Sequence, residues 1–213
     1  MGKVRVDLNV SLDGYATTTD QTPEDPFGQD WTRLTGPYVA TRTFRERVLG
    51  QPGKGTTGMD DDYAKAYFEG IGAEVMGAGM FGLHEHPGDP DWQGWWGPNP
   101  PFGYPVWVLT HEVRPSLEME GGTVFHFAQD SIEDVLAKAK EAAGDLDVRV
   151  GGGIRTARAY LAAGLVDRLH VGITPILLGR GESLWQDLRG LEAGYEVFSE
   201  TAPSGVVHLT FSR

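Results

Sequence analysis

Three consecutive glycines, Gly151, Gly152 and Gly153, stand between a strand-like stretch that ends at Val150 and a helical pattern over residues 156–163. Because glycine lacks a Cβ atom, a phosphate can approach the backbone closely, and the start of a helix offers unpaired N–H groups to an anion. The segment therefore predicts either a nucleotide phosphate site or a tight strand-to-helix turn without a ligand. Its spacing is not the G-x-G-x-x-G of the Rossmann fingerprint.

Strands and helices alternate along the chain. Alternating or continuous apolar residues predict strands at residues 4–10, 74–76, 106–110, 123–128, 148–150, 169–173, 195–199 and 206–212. Ser131 predicts the start of a helix that stops at Gly144. This order predicts an α/β fold with a central mixed, mostly parallel sheet flanked by helices and a C-terminal antiparallel hairpin. A length of 213 residues fits a single domain, residues 1–213.

The first half of the chain has weaker patterns. Residues 16–30 are polar and predict a loop, residues 31–48 predict a helix on a mixed pattern, and residues 51–58 predict an exposed excursion. Three aspartates, residues 60–62, precede apolar residues at helical spacing. Because acids are favoured at a helix N-terminus, we interpret this run as a helix start and not as a metal site.

Composition narrows the classes of function. The formal net charge of −12 argues against a nucleic-acid-binding protein, which usually carries a basic patch. The absence of cysteine excludes disulfides, thiolate catalysis and cysteine-ligated zinc. No stretch approaches 18 apolar residues, and the N-terminus has no leader pattern, so we expect no membrane association and a cytoplasmic protein.

The segments VRVGGGIRTA and LVDRLHVGITPILLGRGESLW resemble the dihydrofolate-reductase-like superfamily. Within it, the chain is most similar to the reductase (C-terminal) domain of the bifunctional riboflavin-biosynthesis deaminase-reductase and its stand-alone relatives. Further matches are the SLDG sequence at residues 11–14, the strand end at Gly77 and the VLT sequence at residues 108–110. These pieces occur in the family's order over nearly the whole chain. The resemblance implies a dihydrofolate-reductase-like fold and a nicotinamide dinucleotide cofactor.

The resemblance also implies which residues bind the cofactor. The glycine segment would line the pyrophosphate and the nicotinamide, Gly77 and Ala78 would form a second phosphate turn, and the remaining residues would lie near the adenosine ribose or the phosphates. The implied set is Val150, Gly151, Gly152, Gly153, Ile154, Arg155, Thr156, Gly77, Ala78, Thr110, His111, Arg114 and Ser183. We expect NADPH. NADH is the alternative, because Ala78 and Met80 stand where folate enzymes often have a basic residue and a threonine. His111 and Arg114 could supply the missing charge, or Arg114 could be a solvated loop residue.

Aromatic residues are dense between residues 92 and 104, where Trp92, Trp95, Trp96, Phe102 and Tyr104 occur among prolines and glycines. Aromatic rings suit a flat ligand, so we predict that Trp95, Trp96 and Phe102 bind the substrate. The alternatives are a loop that packs its own core and a dimer interface.

The sequence His84-Glu85-His86 suggests metal ligands, but it is not H-E-x-x-H and lacks a third ligand at helical spacing. We therefore expect a solvated loop and no metal.

Reduction of a C=N bond also needs a proton. Folate reductases place a carboxylate at the start of their first helix, and Asp30 is the nearest positional match in this chain. We therefore predict Asp30 as the catalytic acid. Asp13 is a further candidate beside the substrate, although turn formation explains it equally well.

Together these features predict an NAD(P)H-dependent reductase that transfers a hydride to a small heterocyclic or carbonyl-type substrate, in a homodimer. The alternative is a non-catalytic protein that sequesters a planar ligand in an aromatic-lined pocket.

Overall fold

The structure is a computed structural model that describes residues 2–17, 22, 24, 25 and 27–213. Part of the predicted loop at residues 16–30 therefore lies outside the described residues. The strands are β1 (Val4–Ser11), β2 (Tyr15–Thr17), β3 (Ile71–Gly77), β4 (Pro105–Leu109), β5 (Leu117–Glu118), β6 (Val124–Ala128), β7 (Asp147–Gly152), β8 (Arg168–Thr174), β9 (Glu182–Ser183), β10 (Glu196–Thr201) and β11 (Val207–Ser212). The helices are α1 (Trp31–Val39), α2 (Arg42–Arg47), α3 (Met59–Phe68), α4 (Ala78–Phe81), α5 (Ile132–Ala143) and α6 (Ile154–Ala162).

Within the described residues, nine strands follow the order β10-β11-β8-β1-β7-β3-β4-β6-β5, and β2 pairs with β9 separately. The predicted mixed, mostly parallel sheet with a C-terminal antiparallel hairpin is confirmed. The chain divides into two compact units, each with many internal contacts. The first unit consists of Met1–Val6 and Ile71–Asp167, and the second consists of Asp7–Gly70 and Arg168–Arg213. The single domain over residues 1–213 stays a prediction.

The first unit contains the parallel part of the sheet. The start of β1, then β7, β3, β4 and β6, pair in parallel, and β5 closes the edge antiparallel to β6. The middle strands β3 and β7 are buried along nearly their whole length, as expected for parallel strands covered on both faces. As predicted, Ser131 caps α5 by accepting a hydrogen bond from the Asp134 N–H at 3.1 Å, and the helix ends at Gly144.

The second unit contains the antiparallel strands β8, β11 and β10 and the helices α1, α2 and α3. The single helix predicted at residues 31–48 is wrong, because Thr41 adopts an extended conformation between α1 and α2. The Thr41 hydroxyl accepts a hydrogen bond from the Phe44 N–H at 3.2 Å and so begins a new helix. None of the described helices has the length and apolar character that crossing a membrane requires.

A buried hydrogen-bonded chain runs through the second unit. Asp60 accepts from His208 Nε2 at 2.9 Å, His208 Nδ1 is 3.0 Å from His170 Nε2, and His170 Nδ1 is 3.5 Å from Asp7 Oδ1. Tyr63 stacks on both imidazoles, with ring centroids 3.9 Å from His208 and 4.3 Å from His170. Burial lowers the pKa of His208, with the hydrogen bond to Asp60 opposing that shift. The acidic run at α3 thus begins the helix, as predicted, and also anchors it to β11.

Candidate active site

The two predicted phosphate turns lie at neighbouring positions in the first unit. Gly77 ends β3 before α4, and Gly152 ends β7 before α6. The strands β3 and β7 are parallel neighbours. From β3 the chain continues through α4 to β4, on one side of this pair. From β7 it continues through α6 to β8, on the other side. In open α/β sheets, ligands bind outside the carboxyl ends of the strands where the order reverses in this way. The topology therefore selects these turns independently of the glycine motif.

Two of the glycines have different structural reasons. A Cβ atom on Gly77 would lie 2.5 Å from Thr156 Oγ1, and one on Gly153 would lie 3.6 Å from the Gly77 Cα. Gly153 also has φ of 76°, which favours glycine. Gly77 is therefore a glycine because the Thr156 hydroxyl occupies its side-chain position, and Gly153 is one because of its backbone conformation.

The start of α6 has the features of an anion site. Gly153 is its N-cap residue and offers no side chain to the first-turn N–H groups, which begin with Ile154, Arg155 and Thr156. Such groups have no acceptor within a helix, so they can bind an anion. A Cβ atom on Gly152 would lie 3.1 Å from Met80 Sδ, at a flexible thioether. Val150 is buried within β7, directly before the turn.

Thr110 and His111 follow β4 in the first unit. Thr110 is buried, and its hydroxyl accepts a hydrogen bond from the Glu112 N–H at 3.0 Å. His111 is exposed, and its carbonyl accepts from Gln129 Nε2 at 2.6 Å. Thr110 therefore shapes the turn, whereas the His111 ring is available at the surface of the unit.

Arg114 is an anchored side chain and not a solvated loop residue. Its Nη2 donates to the carbonyls of Trp92 at 2.9 Å and Pro90 at 3.3 Å, and its guanidinium lies 5.0 Å from the centre of the Phe127 ring. Its Nη1 is buried without a hydrogen-bond partner among the described residues. The guanidinium thus ties the start of the aromatic segment, residues 92–104, to Phe127.

The aromatic segment packs largely onto the core of its own unit. The Trp96 ring lies 5.0 Å from Phe102 and 6.0 Å from Phe125, which is fully buried. Phe102 and Tyr104 pack on the same cluster, which includes Met76. This favours the self-packing alternative for Trp96 and Phe102, and both rings remain partly exposed.

Trp92, Trp95 and His86 pack against one another. His86 stacks on Trp92 at 3.7 Å, and the Trp95 ring lies 4.7 Å from Trp92. Trp92 Nε1 donates to the Phe81 carbonyl at 2.9 Å. His84 is exposed, and no three His, Asp or Glu side chains of the described residues are grouped to hold a metal ion. His86 is thus a packing residue, where a solvated loop was expected.

A surface pocket of about 560 Å³ opens elsewhere on the first unit, and none of the predicted site residues lines it. Within it, Ser116 Oγ is 3.0 Å from His126 Nδ1, and burial lowers the pKa of His126. The pocket is open to solvent and contains neither glycine turn. We therefore place the candidate site at the glycine turns, where the strand order reverses, and not at this pocket.

Two predicted residues of the second unit lie in loop contacts. Asp13 Oδ1 accepts from Ser11 Oγ at 2.5 Å, and Oδ2 accepts from the Gly179 N–H at 2.7 Å. The hydrogen bond from Ser11 is the largest cause that lowers the pKa of Asp13, with burial opposing it. These contacts fit the turn interpretation of Asp13. Ser183 lies on β9 opposite Tyr15 of β2, a short pairing that the sequence did not predict.

Asp30 immediately precedes α1, as predicted, but its side chain does not cap the helix. Instead Asp30 Oδ1 accepts from Arg33 Nη1 at 2.5 Å, and Oδ2 lies 3.8 Å from Arg180 Nη2. Asp30 is 14% exposed, so solvent reaches its carboxylate. The predicted acid is therefore held between two guanidinium groups.

A buried ion pair close to the glycine turn was missed from the sequence. Glu74 on β3 and Arg149 on β7 are both fully buried and lie opposite each other in the sheet. Glu74 is the one charged residue of β3, and Arg149 stands between two valines of β7; a charge at such a position is the signal that could have revealed the pair.

Solved structures with the same fold include reductases. The chain is 22% identical to a riboflavin biosynthesis protein from Shewanella sp. PV-4, covering 99% of this chain and 98% of that one with a TM-score of 0.62. It is 14% identical to a pyrimidine reductase-like protein from Corynebacterium diphtheriae, with 99% and 91% covered and a TM-score of 0.52. A dihydrofolate reductase from Enterococcus faecalis, solved with NADP(H), is 13% identical, with 100% and 96% covered and a TM-score of 0.50. At these identities, the likeness shows the fold.

No curated protein matches the chain. The family model for the RibD C-terminal domain matches residues 2–197, which include both glycine turns and β1 to β9. With the resemblance at the glycine segment and the shared fold, this match identifies the chain as a member of the RibD C-terminal domain family.

Proposed function

We propose that this protein is an NADPH-dependent reductase that transfers a hydride to a small heterocyclic or carbonyl-type substrate. The observation that carries the proposal is the meeting of two glycine turns at the carboxyl ends of β3 and β7, where the strand order reverses. Membership of the RibD C-terminal domain family, with solved relatives described as reductases, supports the same reaction class.

In this proposal the first unit binds the dinucleotide. The first-turn N–H groups of α6 bind the pyrophosphate, and Gly77 and Ala78 form the second side of the phosphate site. Thr110, His111 and Arg114 contact the adenosine ribose and its 2′-phosphate, and the Arg114 guanidinium supplies the positive charge. Ser183 belongs to the second unit, and its phosphate contact stays a prediction. The bound nicotinamide supplies the hydride, and the protein orients it and excludes water.

The reaction also needs a proton on the nitrogen or oxygen of the reduced double bond. We propose Asp30 as the group that delivers it, because its carboxylate is solvent-accessible and fixed by Arg33 and Arg180. In the first unit, Trp95, Trp96 and Phe102 keep part of their rings exposed and would present that surface to a planar substrate. In the second unit, Asp13 accepts from the Gly179 N–H and so fixes that loop.

Ala78 favours one alternative, because this side chain brings no positive charge to the second phosphate turn. A non-catalytic protein that sequesters a planar ligand would retain the fold and the aromatic segment. Titration with NADPH and NADH, followed by oxidation of bound NADPH with a substrate panel, separates the two. A reductase binds NADPH tightly and oxidises it, whereas a sequestering protein does neither.

We expect the double change His111→Ala and Arg114→Ala to weaken NADPH binding far more than NADH binding. Each lost charge-assisted contact to a 2′-phosphate is worth about 1.5–3 kcal/mol, so the NADPH dissociation constant should rise at least about tenfold. Because Arg114 also holds Trp92, the melting temperature of the variant must be measured alongside. Equal loss for both cofactors contradicts the assignment.

We further propose that the protein pairs as a homodimer through β10. This strand is an edge of the sheet, and its Val197 and Phe198 side chains are 49% and 58% exposed. An exposed apolar edge strand is a ready template for antiparallel pairing with a second copy. Sedimentation equilibrium should give twice the chain mass of 23.2 kDa, and Phe198→Lys should restore the single-chain mass. A wild-type protein that stays monomeric at high concentration contradicts this assembly.

A further inference from the structure

A buried carboxylate lies directly beneath the glycine turn of the first unit. Glu74 Oε2 accepts from Arg149 Nε at 3.0 Å, from Arg149 Nη2, and from the Tyr104 hydroxyl at 3.2 Å. Arg149 Nη2 also lies 3.1 Å from the Tyr104 hydroxyl oxygen. Both charged side chains are 0% exposed, so solvent does not screen the pair. The pair therefore fixes β3 and β7 to each other three residues before Gly77 and two residues before Gly151.

The pairing of these strands is interrupted at Gly151. Val75 pairs with Val150 and Met76 pairs with Gly152, so Gly151 is an extra residue on β7 without a partner on β3. A bulge of this kind bends its strand and changes the direction in which the following residues point. In this protein those residues are Gly152 and the start of α6. The bulge therefore affects the direction in which the N–H groups at the start of α6 point.

The second oxygen of Glu74 occupies the space beside the bulge. A Cβ atom on Gly151 would overlap Glu74 Oε1, and Oε1 has no hydrogen-bond partner among the described residues. Burial is the largest influence on the Glu74 carboxyl and raises its pKa, against the opposing effects of Arg149 and Tyr104. Gly151 is accordingly a glycine because the carboxylate fills its side-chain position, and the carboxylate in turn holds the bulge.

We propose that Glu74 is a positioning residue for the dinucleotide, which braces the Gly151 bulge and so sets the affinity of the α6 start for the pyrophosphate. The inference rests on the proposed function of this turn. Glu74 acts on the cofactor only through the backbone, since its side chain is enclosed beneath Gly151. Because NADPH and NADH share the pyrophosphate, the brace affects both cofactors equally.

Two double variants with the same net charge test the brace. Glu74→Met with Arg149→Met removes both charges but keeps a long side chain beside Gly151, and replacement of a buried ion pair by apolar residues is often tolerated. Glu74→Ala with Arg149→Met differs only in leaving that space empty. We expect the first variant to bind NADPH and NADH within about threefold of wild type and the second about tenfold more weakly. Fluorescence titration of folded protein measures both.

Asp61→Asn is a matched control for general destabilisation. Asp61 is also a buried carboxylate, but it belongs to the second unit, where it accepts from the Thr43 N–H at 2.8 Å. Its substitution should lower the melting temperature and leave the dissociation constants of both nucleotides unchanged. Equal affinities of the two position-74 variants, with both folded, overturn the proposal.

A second measurement tests the contact between the Glu74 side chain and the Gly151 bulge without a cofactor. Gly151→Ala should lower the melting temperature by several degrees in the Glu74→Met, Arg149→Met background, because the new methyl group meets the long side chain. In the Glu74→Ala, Arg149→Met background the same change should cost little. If the wild-type protein binds neither NADPH nor NADH, the proposed function is wrong. The difference in melting temperature between the two backgrounds would still show that the side chain at position 74 packs against Gly151. If the difference is absent, the brace itself is wrong.

Discussion

Gly152→Asp should abolish dinucleotide binding while the chain stays folded. The change puts a carboxylate at the junction of β7 and α6, where we propose that the pyrophosphate binds. Two like charges about 4 Å apart repel by about 4 kcal/mol at the effective dielectric constant of a protein surface. The dissociation constant for NADPH should therefore rise at least about 100-fold, which is about 2.8 kcal/mol. Isothermal titration calorimetry measures the dissociation constant for NADPH, and the melting temperature shows whether the variant is folded.

Gly152→Ala is the control for the side chain without the charge. Its methyl group would meet Met80 Sδ at about 3.1 Å, and the flexible thioether can move aside. We expect the Ala variant to bind NADPH distinctly better than the Asp variant. If the folded Asp variant binds NADPH as wild type does, the glycine turn is not the phosphate site.

Trp96→Ala should lower the free energy of unfolding by about 3 kcal/mol, near the lower end of the values for truncating a large aromatic side chain in a core. The Trp96 ring packs on Phe102, Phe125 and Phe81, and its removal leaves a cavity beside two fully buried rings. Denaturant unfolding followed by circular dichroism measures the loss. A variant as stable as wild type contradicts the view that Trp96 belongs to the core of the first unit.

Trp95→Ala is the comparison that separates packing from substrate binding. Trp95 packs on Trp92 and His86 outside the Phe125 cluster, so we expect a smaller loss of stability, about 1 kcal/mol. If it presents a surface to the substrate, this variant should raise the KM for a ring substrate and leave NADPH affinity unchanged. Quenching of tryptophan fluorescence by pterins, flavins and quinones identifies a test ligand. The substrate role of Trp95 fails if quenching and turnover match wild type.

The local sequence determined much of the architecture. The strand β1, the apolar runs of β3, β4 and β7, and the helix capped by Ser131 follow from patterns that their own residues encode, and each of these elements formed. The alternation in β1 does not carry through to burial, because Arg5 and Asp7 are buried together with Val4 and Val6. The three glycines also predicted a strand-to-helix turn correctly. Such features depend on neighbours within a few positions, so hydrophobic period and turn chemistry are sufficient to reveal them.

Other features were decided only by the tertiary structure. The break at Thr41 between α1 and α2 and the pairing of β2 with β9 depend on contacts with distant segments, which a local pattern does not contain. The same holds for Arg114, whose guanidinium holds a segment more than 20 residues away.

The glycine turn shows the division most clearly. The sequence determined that residues 151–153 form a strand-to-helix turn, because glycine permits backbone conformations that other residues rarely adopt. It did not determine that Glu74, 77 positions before Gly151, would fill the space of the absent side chain, or that Gly77 would meet Thr156. Those contacts arise because parallel pairing brings the carboxyl ends of β3 and β7 together, and only the folded sheet specifies which strands become neighbours.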